Sequence, residues 1–114
     1  MSEFVTVADV AEIPLGEARS IPIRGRLIGV FHTADGFFAI DDACPHMGAS
    51  LAGGYVEGDA VMCPWHAWRF CVRDGTWLDN PKSPLKAASY EVRVADGEVQ
   101  VKIPAEESPD QHSP

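Results

Sequence analysis

Hydrophobic and polar residues alternate along several short segments of the chain, a pattern typical of half-buried β-strands. The clearest segments are residues 90–94 (YEVRV) and 98–103 (EVQVKI). In the second segment the alternation predicts that Val99, Val101 and Ile103 share one buried face. Asp96-Gly97 separates the two segments and predicts a tight hairpin, because its glycine accepts a positive φ.

Further short strands are expected along the rest of the chain. They lie at residues 4–7, 20–23, 26–32, 36–40, 60–63 and 69–72. Asp35-Gly36 and Asp74-Gly75 predict two more turns. Short strands with regular turn signals are typical of an antiparallel sandwich or barrel, so we expect an all-β fold. The sequence has no long helical periodicity, and we expect only one short helical turn around residues 47–52.

The length of 114 residues allows one domain. We expect this domain to span residues 1–104. Residues 105–114 are polar and proline-rich, so we expect a disordered tail there, with His112 as a solvated side chain.

Acidic residues outnumber basic ones by 17 to 9, which gives a formal net charge of −8. An acidic surface argues against binding nucleic acid or anionic membranes. No apolar run is long enough to span a bilayer, and the first fourteen residues lack the features of a signal peptide. We therefore expect a cytoplasmic protein, in which cysteines are more often metal ligands than disulfide partners.

Two short motifs carry the candidate chemistry. Cys44-Pro45-His46 is followed, after sixteen residues, by Cys63-Pro64-Trp65-His66. Each motif offers one thiolate and one imidazole and follows a predicted strand, so both should project from loops at strand ends. The proline after each cysteine restricts φ and stiffens the loop.

Three interpretations of these motifs compete. The four residues could be unrelated core cysteines and surface histidines, but two matched, proline-flanked pairs are unusual for that. Two cysteines and two histidines could also hold zinc in a closed tetrahedral site. Zinc motifs, however, usually group cysteines with cysteines. A Rieske [2Fe–2S] cluster needs one cysteine and one histidine from each of two loops, which matches the pattern here.

The motifs resemble the Rieske family signature, in which a Cys-x-His pair precedes a Cys-x-x-His pair. The resemblance covers roughly residues 3–103. Residues 53–59 and 69–75 are similar to the ferredoxin components of bacterial ring-hydroxylating dioxygenases. Residues 63–70 are also similar to small-subunit-like proteins of NAD(P)H nitrite reductase.

The resemblance implies specific roles. One [2Fe–2S] cluster would be held per chain, with Cys44 and Cys63 on the inner iron and His46 and His66 on the outer iron. The protein would be an electron carrier and not an enzyme, passing electrons from an NAD(P)H-dependent reductase to a terminal oxygenase. Two alternatives stay open. The first is a small Rieske subunit of a nitrite reductase or a similar oxidoreductase complex, with the large subunit as its partner, and the second is a zinc-binding interaction module.

The sequence departs from the respiratory Rieske pattern in ways that predict a low reduction potential. Neither cluster loop has a spare cysteine for a disulfide. Trp68 and Phe70 stand where the respiratory type carries a serine and a tyrosine. Without those hydroxyl donors the reduced state is less stabilised, so the potential should lie low in the Rieske range.

Several other residues have simpler expected roles. We expect Cys71 to be a buried strand residue and Asp41 and Asp42 to lie in a solvated turn. His32 should be structural. Trp65 and Trp68 could cover the cluster or pack locally. Residues 79–85 (DNPKSPL) could form a third loop over the cluster or a simple connector.

Overall fold

Antiparallel strands dominate the protein in this computed structural model, which describes residues 2–44, 49–64 and 68–104. The strands within those residues are β1 (Ser2–Asp9), β2 (Ala18–Ile23), β3 (Arg26–Thr33), β4 (Gly36–Asp41), β5 (Tyr55–Glu57), β6 (Ala60–Met62), β7 (Arg69–Cys71), β8 (Ser89–Tyr90), β9 (Val92–Ala95) and β10 (Glu98–Pro104). The helical elements of the described chain are two 3₁₀ turns, Val10–Glu12 and Leu51–Gly53. The all-β prediction is confirmed.

The strands form three antiparallel sheets. The first sheet has the order β1-β10-β9, the central sheet β2-β3-β4-β8, and the third sheet β5-β6-β7. None of the described helical turns is long and apolar enough to cross a membrane.

The central sheet is buried on both faces because its strands carry apolar residues on both sides. Ile28 and Val30 of β3 pack with β10 of the first sheet in one core. Phe31, the next residue along β3, packs in a second core on the opposite face. Successive side chains of a strand point to opposite faces, so β3 joins the two cores.

The second core lies between the central and third sheets and contains both motif cysteines. Its buried members are Phe31, Ile40, Cys44, Ala49, Leu51, Val61, Cys63, Phe70, Val72 and Ala87. The first core holds Ile13, Ile23, Ile28, Val30, Ala39, Val99, Val101 and Ile103. The structure thus has a base of two sheets and a smaller lobe that carries the candidate chemistry.

Most strand predictions agree with the structure, including the shared buried face of Val99, Val101 and Ile103. The single strand predicted at 90–94 is wrong. β8 pairs with β4 of the central sheet, whereas β9 pairs with β10 of the first sheet. The chain changes sheet at Glu91, whose carbonyl accepts a hydrogen bond from the Lys102 N–H at 2.8 Å.

Two local features differ from the sequence predictions. β5 was not predicted from the sequence. The helical turn expected around residues 47–52 lies instead at Leu51–Gly53, as a 3₁₀ turn, and residues 47 and 48 lie outside the described chain. The predicted Asp96-Gly97 turn is confirmed, with φ of 52° and 77° at its two residues.

Arg73 ties the lobe to the base. Its guanidinium pairs with Asp59, in the turn between β5 and β6, at 2.9 Å and with Asp35, in the turn between β3 and β4, at 2.5 Å. The same guanidinium lies 4.8 Å from the centre of the Phe38 ring on β4. These contacts cross between the third and central sheets, so they help to set the position of the lobe.

Candidate metal centre

Cys44 and Cys63 hold equivalent positions in two loops of the lobe. Cys44 lies three residues beyond the end of β4, and Cys63 directly follows β6. Both are buried, with exposed fractions of 2% and 1%. They belong to the same core and neither forms a disulfide. Two buried thiols in one core suit a soft metal centre, because thiolates are the preferred ligands of iron–sulfur clusters.

The two loops are closed by matching backbone hydrogen bonds. The N–H of Cys44 donates to the carbonyl of Ala49 at 2.8 Å. The N–H of Cys63 donates to the carbonyl of Trp68 at 2.7 Å. Each bond joins a cysteine to the residue five positions later, so each loop starts and finishes beside its cysteine. In the sequence, one histidine falls within each closed segment.

The histidines of the two motifs lie outside the described residues. His46 is in the segment 45–48, and Trp65 and His66 are in the segment 65–67. Within the described residues no three metal-ligating side chains group together. The structure therefore brings the two cysteines into one core and leaves the complete ligand set as a prediction.

Gly54 packs closely against the chain on either side of Cys63, whereas the adjacent Gly53 does not. A Cβ on Gly54 would lie 2.0 Å from the carbonyl oxygen of Met62 and 3.2 Å from Cδ of Pro64. Both contacts are with the chain on either side of Cys63. A Cβ on the adjacent Gly53 would meet only Ser50, at 3.8 Å.

We expect Gly54→Ala to displace residues 62–64 and to lower the fraction of purified protein that contains iron. Gly53→Ala is the matched control, since its methyl group makes only an ordinary contact. Iron content per chain and the thermal midpoint measure the difference, and the midpoint should fall by several degrees for Gly54→Ala alone. Equal iron content in the two variants would contradict this account of Gly54.

Asp79, the first residue of the segment 79–85, is hydrogen-bonded to Arg69, directly after the second loop. The Asp79 carboxylate accepts a hydrogen bond from the Arg69 backbone N–H at 2.8 Å and from the Arg69 guanidinium at 3.1 and 3.2 Å. The backbone N–H of Arg69, followed by its guanidinium, holds the pKa of Asp79 below its usual value. Trp68, at the end of the second loop, stacks on Trp77 with ring centres 4.0 Å apart.

The expectation of a solvated turn at Asp41 and Asp42 is wrong. Asp42 is 1% exposed and hydrogen-bonded within the protein. Asp41 is half-buried and accepts a hydrogen bond from the Tyr90 hydroxyl, which in turn accepts one from Arg26 at 2.8 Å. Burial, and then the contact with Asp41, raise the pKa of Tyr90 to about 12, so its hydroxyl stays a donor at neutral pH.

Two further predictions have different outcomes. His32 is structural as expected, since its Nδ1–H donates to the Ile13 carbonyl at 2.7 Å and its ring stacks on Phe37. Cys71 is half-buried and belongs to neither core, which contradicts the expected burial. Its thiol contributes to the lowered pKa of the Asp74 carboxyl, after the larger effect of the Thr76 backbone N–H.

Comparison with known families decides between the interpretations of the two motifs. Residues 3–101 match the Rieske [2Fe-2S] domain family. The chain belongs to this family. Its cofactor is accordingly a [2Fe–2S] cluster, and the zinc alternative is set aside.

Relatives of this Rieske protein include dioxygenase ferredoxins. The 3-phenylpropionate/cinnamic acid dioxygenase ferredoxin subunit of Photorhabdus laumondii is 41% identical over 103 residues, which cover 89% of this chain and 95% of the relative. Ferredoxin subunits are electron carriers, so the predicted class of the protein is confirmed.

Solved structures confirm the Rieske fold. A chain in the complex of reduced oxygenase and oxidised ferredoxin in carbazole 1,9a-dioxygenase is 32% identical with a TM-score of 0.74, covering 86% of this chain and 91% of that one. A structure named for the small subunit of an NADH-dependent nitrite reductase from Mycobacterium tuberculosis is 23% identical with a TM-score of 0.82, covering 91% of this chain and 97% of that one. At that identity the second likeness shows the fold alone.

Proposed function

We propose that Cys44, His46, Cys63 and His66 hold the [2Fe–2S] cluster of this Rieske protein. The observation that carries the proposal is the pair of buried thiols in two loops closed by equivalent backbone bonds. A bound Rieske cluster takes up and releases one electron at a time, at a potential set by its ligands and their hydrogen bonds.

Covalent geometry supports the two histidines as the remaining ligands. His46 follows Cys44 by two residues and His66 follows Cys63 by three. At ~3.6 Å per residue, the chain allows the Cα atoms of Cys44 and His46 to be at most roughly 7 Å apart. For Cys63 and His66 the limit is roughly 11 Å. The buried cysteines supply the inner ligands, and the histidines of the same loops supply the outer ones.

We propose further that the chain passes electrons from an NAD(P)H-dependent reductase to a terminal oxygenase. The ferredoxin subunit that is 41% identical belongs to a dioxygenase, and the carbazole dioxygenase structure contains a ferredoxin together with an oxygenase. The nitrite reductase alternative has support from the fold alone. A cytoplasmic location and the boundary between a domain at 1–104 and a disordered tail remain proposals, and residues 105–114 lie outside the described chain.

Stopped-flow mixing of the reduced protein with candidate acceptors tests the proposed partner. We expect rapid electron transfer to the oxygenase component of a 3-phenylpropionate/cinnamic acid dioxygenase and slow transfer to a sirohaem nitrite reductase. The opposite order of rates would contradict the proposal.

Electron transfer should also slow as salt is added. The chain has a formal charge of −8, so we expect its partners to present basic faces. Between about 0.01 and 0.15 M ionic strength the screening length falls from about 30 to 8 Å, which weakens such attraction. A second-order rate that does not change over this range would show that charge does not guide the encounter.

A further inference from the structure

Asp42 is a buried carboxylate at the base of the first cluster loop. It lies directly after β4, two residues before Cys44, and is 1% exposed. One carboxylate oxygen accepts a hydrogen bond from the Ser20 hydroxyl of β2 at 3.0 Å. The other accepts a hydrogen bond from the Ala52 backbone N–H at 2.8 Å. The side chain therefore joins the central sheet to the chain that follows the loop.

The backbone around Asp42 forms a short ladder across the base of the same loop. The carbonyl of Asp42 accepts a hydrogen bond from the Leu51 N–H at 2.7 Å. The bridge between Ala43 and Ser50 comes next, followed by the bond from the Cys44 N–H to Ala49. Asp42, Ala43 and Cys44 are consecutive residues of this ladder. A shift of Asp42 would therefore also move Cys44.

A glycine in the central sheet leaves room for the Asp42 carboxylate. Gly29 lies in the interior of β3, where a Cβ would stand 3.2 Å from Oδ1 of Asp42 and 2.9 Å from the Phe31 ring. The N–H of Asp42 also donates to the Leu27 carbonyl of β3 at 3.1 Å. A glycine inside a strand often marks such a close approach.

We infer that Asp42 is the positioning residue of the first cluster loop, holding both ends of the loop against the base so that Cys44 stays in the core that it shares with Cys63. This inference rests on the proposed ligand role of Cys44. Asp42 is not a ligand, and it acts through the backbone that carries one.

The hydrogen-bond chemistry predicts which substitutions preserve this role. In Asp42→Asn the amide oxygen can accept from the Ala52 N–H, and the amide nitrogen can donate to the Ser20 hydroxyl oxygen. In Asp42→Ala both partners lose their bond, and a buried donor without an acceptor is costly. Asp42→Asn should therefore keep the hydrogen bonds to Ser20 and Ala52 that Asp42→Ala loses.

Hydrogen exchange on the apo-protein and EPR on the iron-loaded protein test the inference together. In Asp42→Ala we expect the amides of Cys44, Leu51 and Ala52 to exchange about 10- to 100-fold faster. The amides of Val99 and Val101 should keep their rates. The EPR signal of loaded Asp42→Ala should broaden or fall, whereas Asp42→Asn should resemble the wild type in both measurements.

Two further variants keep the test decisive if Asp42→Ala does not fold. Ser20→Ala removes only one of the two side-chain bonds and should accelerate exchange at Ala52 by a smaller factor. Glu98→Ala removes a half-buried carboxylate that accepts a hydrogen bond from Thr6 on the first sheet, and it should leave the loop amides unchanged.

The outcomes separate this inference from the proposed function. Unchanged loop exchange in both Asp42→Ala and Ser20→Ala would overturn the inference, as would failure of Asp42→Asn to restore protection. Faster loop exchange without any Rieske signal in the wild type would support the anchoring role of Asp42 and overturn the proposed ligand set.

Discussion

Cys63→Ala should yield a protein that retains almost no iron while its base stays folded. Cys63 is 1% exposed and shares a core with Cys44, so alanine at this position removes a buried thiol of the proposed ligand set. The base has its own core of residues such as Val99 and Val101, which does not include either cysteine. Iron and acid-labile sulfide per chain measure the loss of the cluster. Hydrogen exchange on β10 measures whether the base stays folded.

Cys71→Ala is the matched control for this variant. Cys71 is the third cysteine of the chain, and it is half-buried and lies outside both cores. Its removal should leave iron content and the EPR spectrum as they are in the wild type. Full iron content in Cys63→Ala, or its loss in Cys71→Ala, would contradict the assignment of the thiolate ligands.

The midpoint potential is expected near the lower end of the Rieske range, around −150 mV. Phe70 is fully buried in the core that contains Cys44 and Cys63, and it offers no hydroxyl. Trp68 packs against Trp77 through its ring. Protein-film voltammetry at neutral pH measures the potential. A midpoint above about +100 mV, well inside the upper Rieske range, would contradict the proposed ferredoxin role.

Introducing hydroxyls at both positions should raise this midpoint. In Trp68→Ser with Phe70→Tyr, a new hydrogen bond that favours the reduced state by about 1.4 kcal/mol corresponds to about +59 mV for a one-electron couple. Trp68→Ala alone removes the same ring without adding a hydroxyl, and it controls for the lost stacking. Equal potentials in the two variants would show that hydroxyl donors do not set the potential here.

The sequence predicted the strands of the first sheet well because their apolar residues alternate with polar ones. Alternation along residues 98–103 matches the buried face that Val99 and Val101 share. The alternation did not predict which sheet each strand belongs to. The alternation at 90–94 continues through Glu91, where the chain leaves one sheet for the next, because Tyr90 and Val92 both pack on the same core.

The burial of Asp42 could not be predicted from its neighbours. An Asp-Asp pair before a loop is normally solvated, and the partners that bury Asp42 lie at Ser20 and Ala52. Gly29, inside a predicted strand, was the signal of a close approach, but nothing in the sequence named the group that approaches.

The sequence also did not predict that the two cluster loops have the same backbone closure. The motifs place histidine two residues after Cys44 and three residues after Cys63. The backbone nevertheless closes both loops five residues after the cysteine. Sequence spacing predicted the ligand types, whereas the common loop geometry depends on backbone bonds that side-chain identity does not specify.

The central claim is that two cysteines and two histidines of this chain hold one [2Fe–2S] cluster. Pulsed EPR of the reduced wild-type protein, labelled with ¹⁵N-histidine, tests it most directly. We expect a Rieske signal with couplings to two histidine nitrogens, two irons per chain, and loss or change of the signal in His66→Ala. A spectrum without histidine coupling, or one that His66→Ala leaves intact, would contradict the claim.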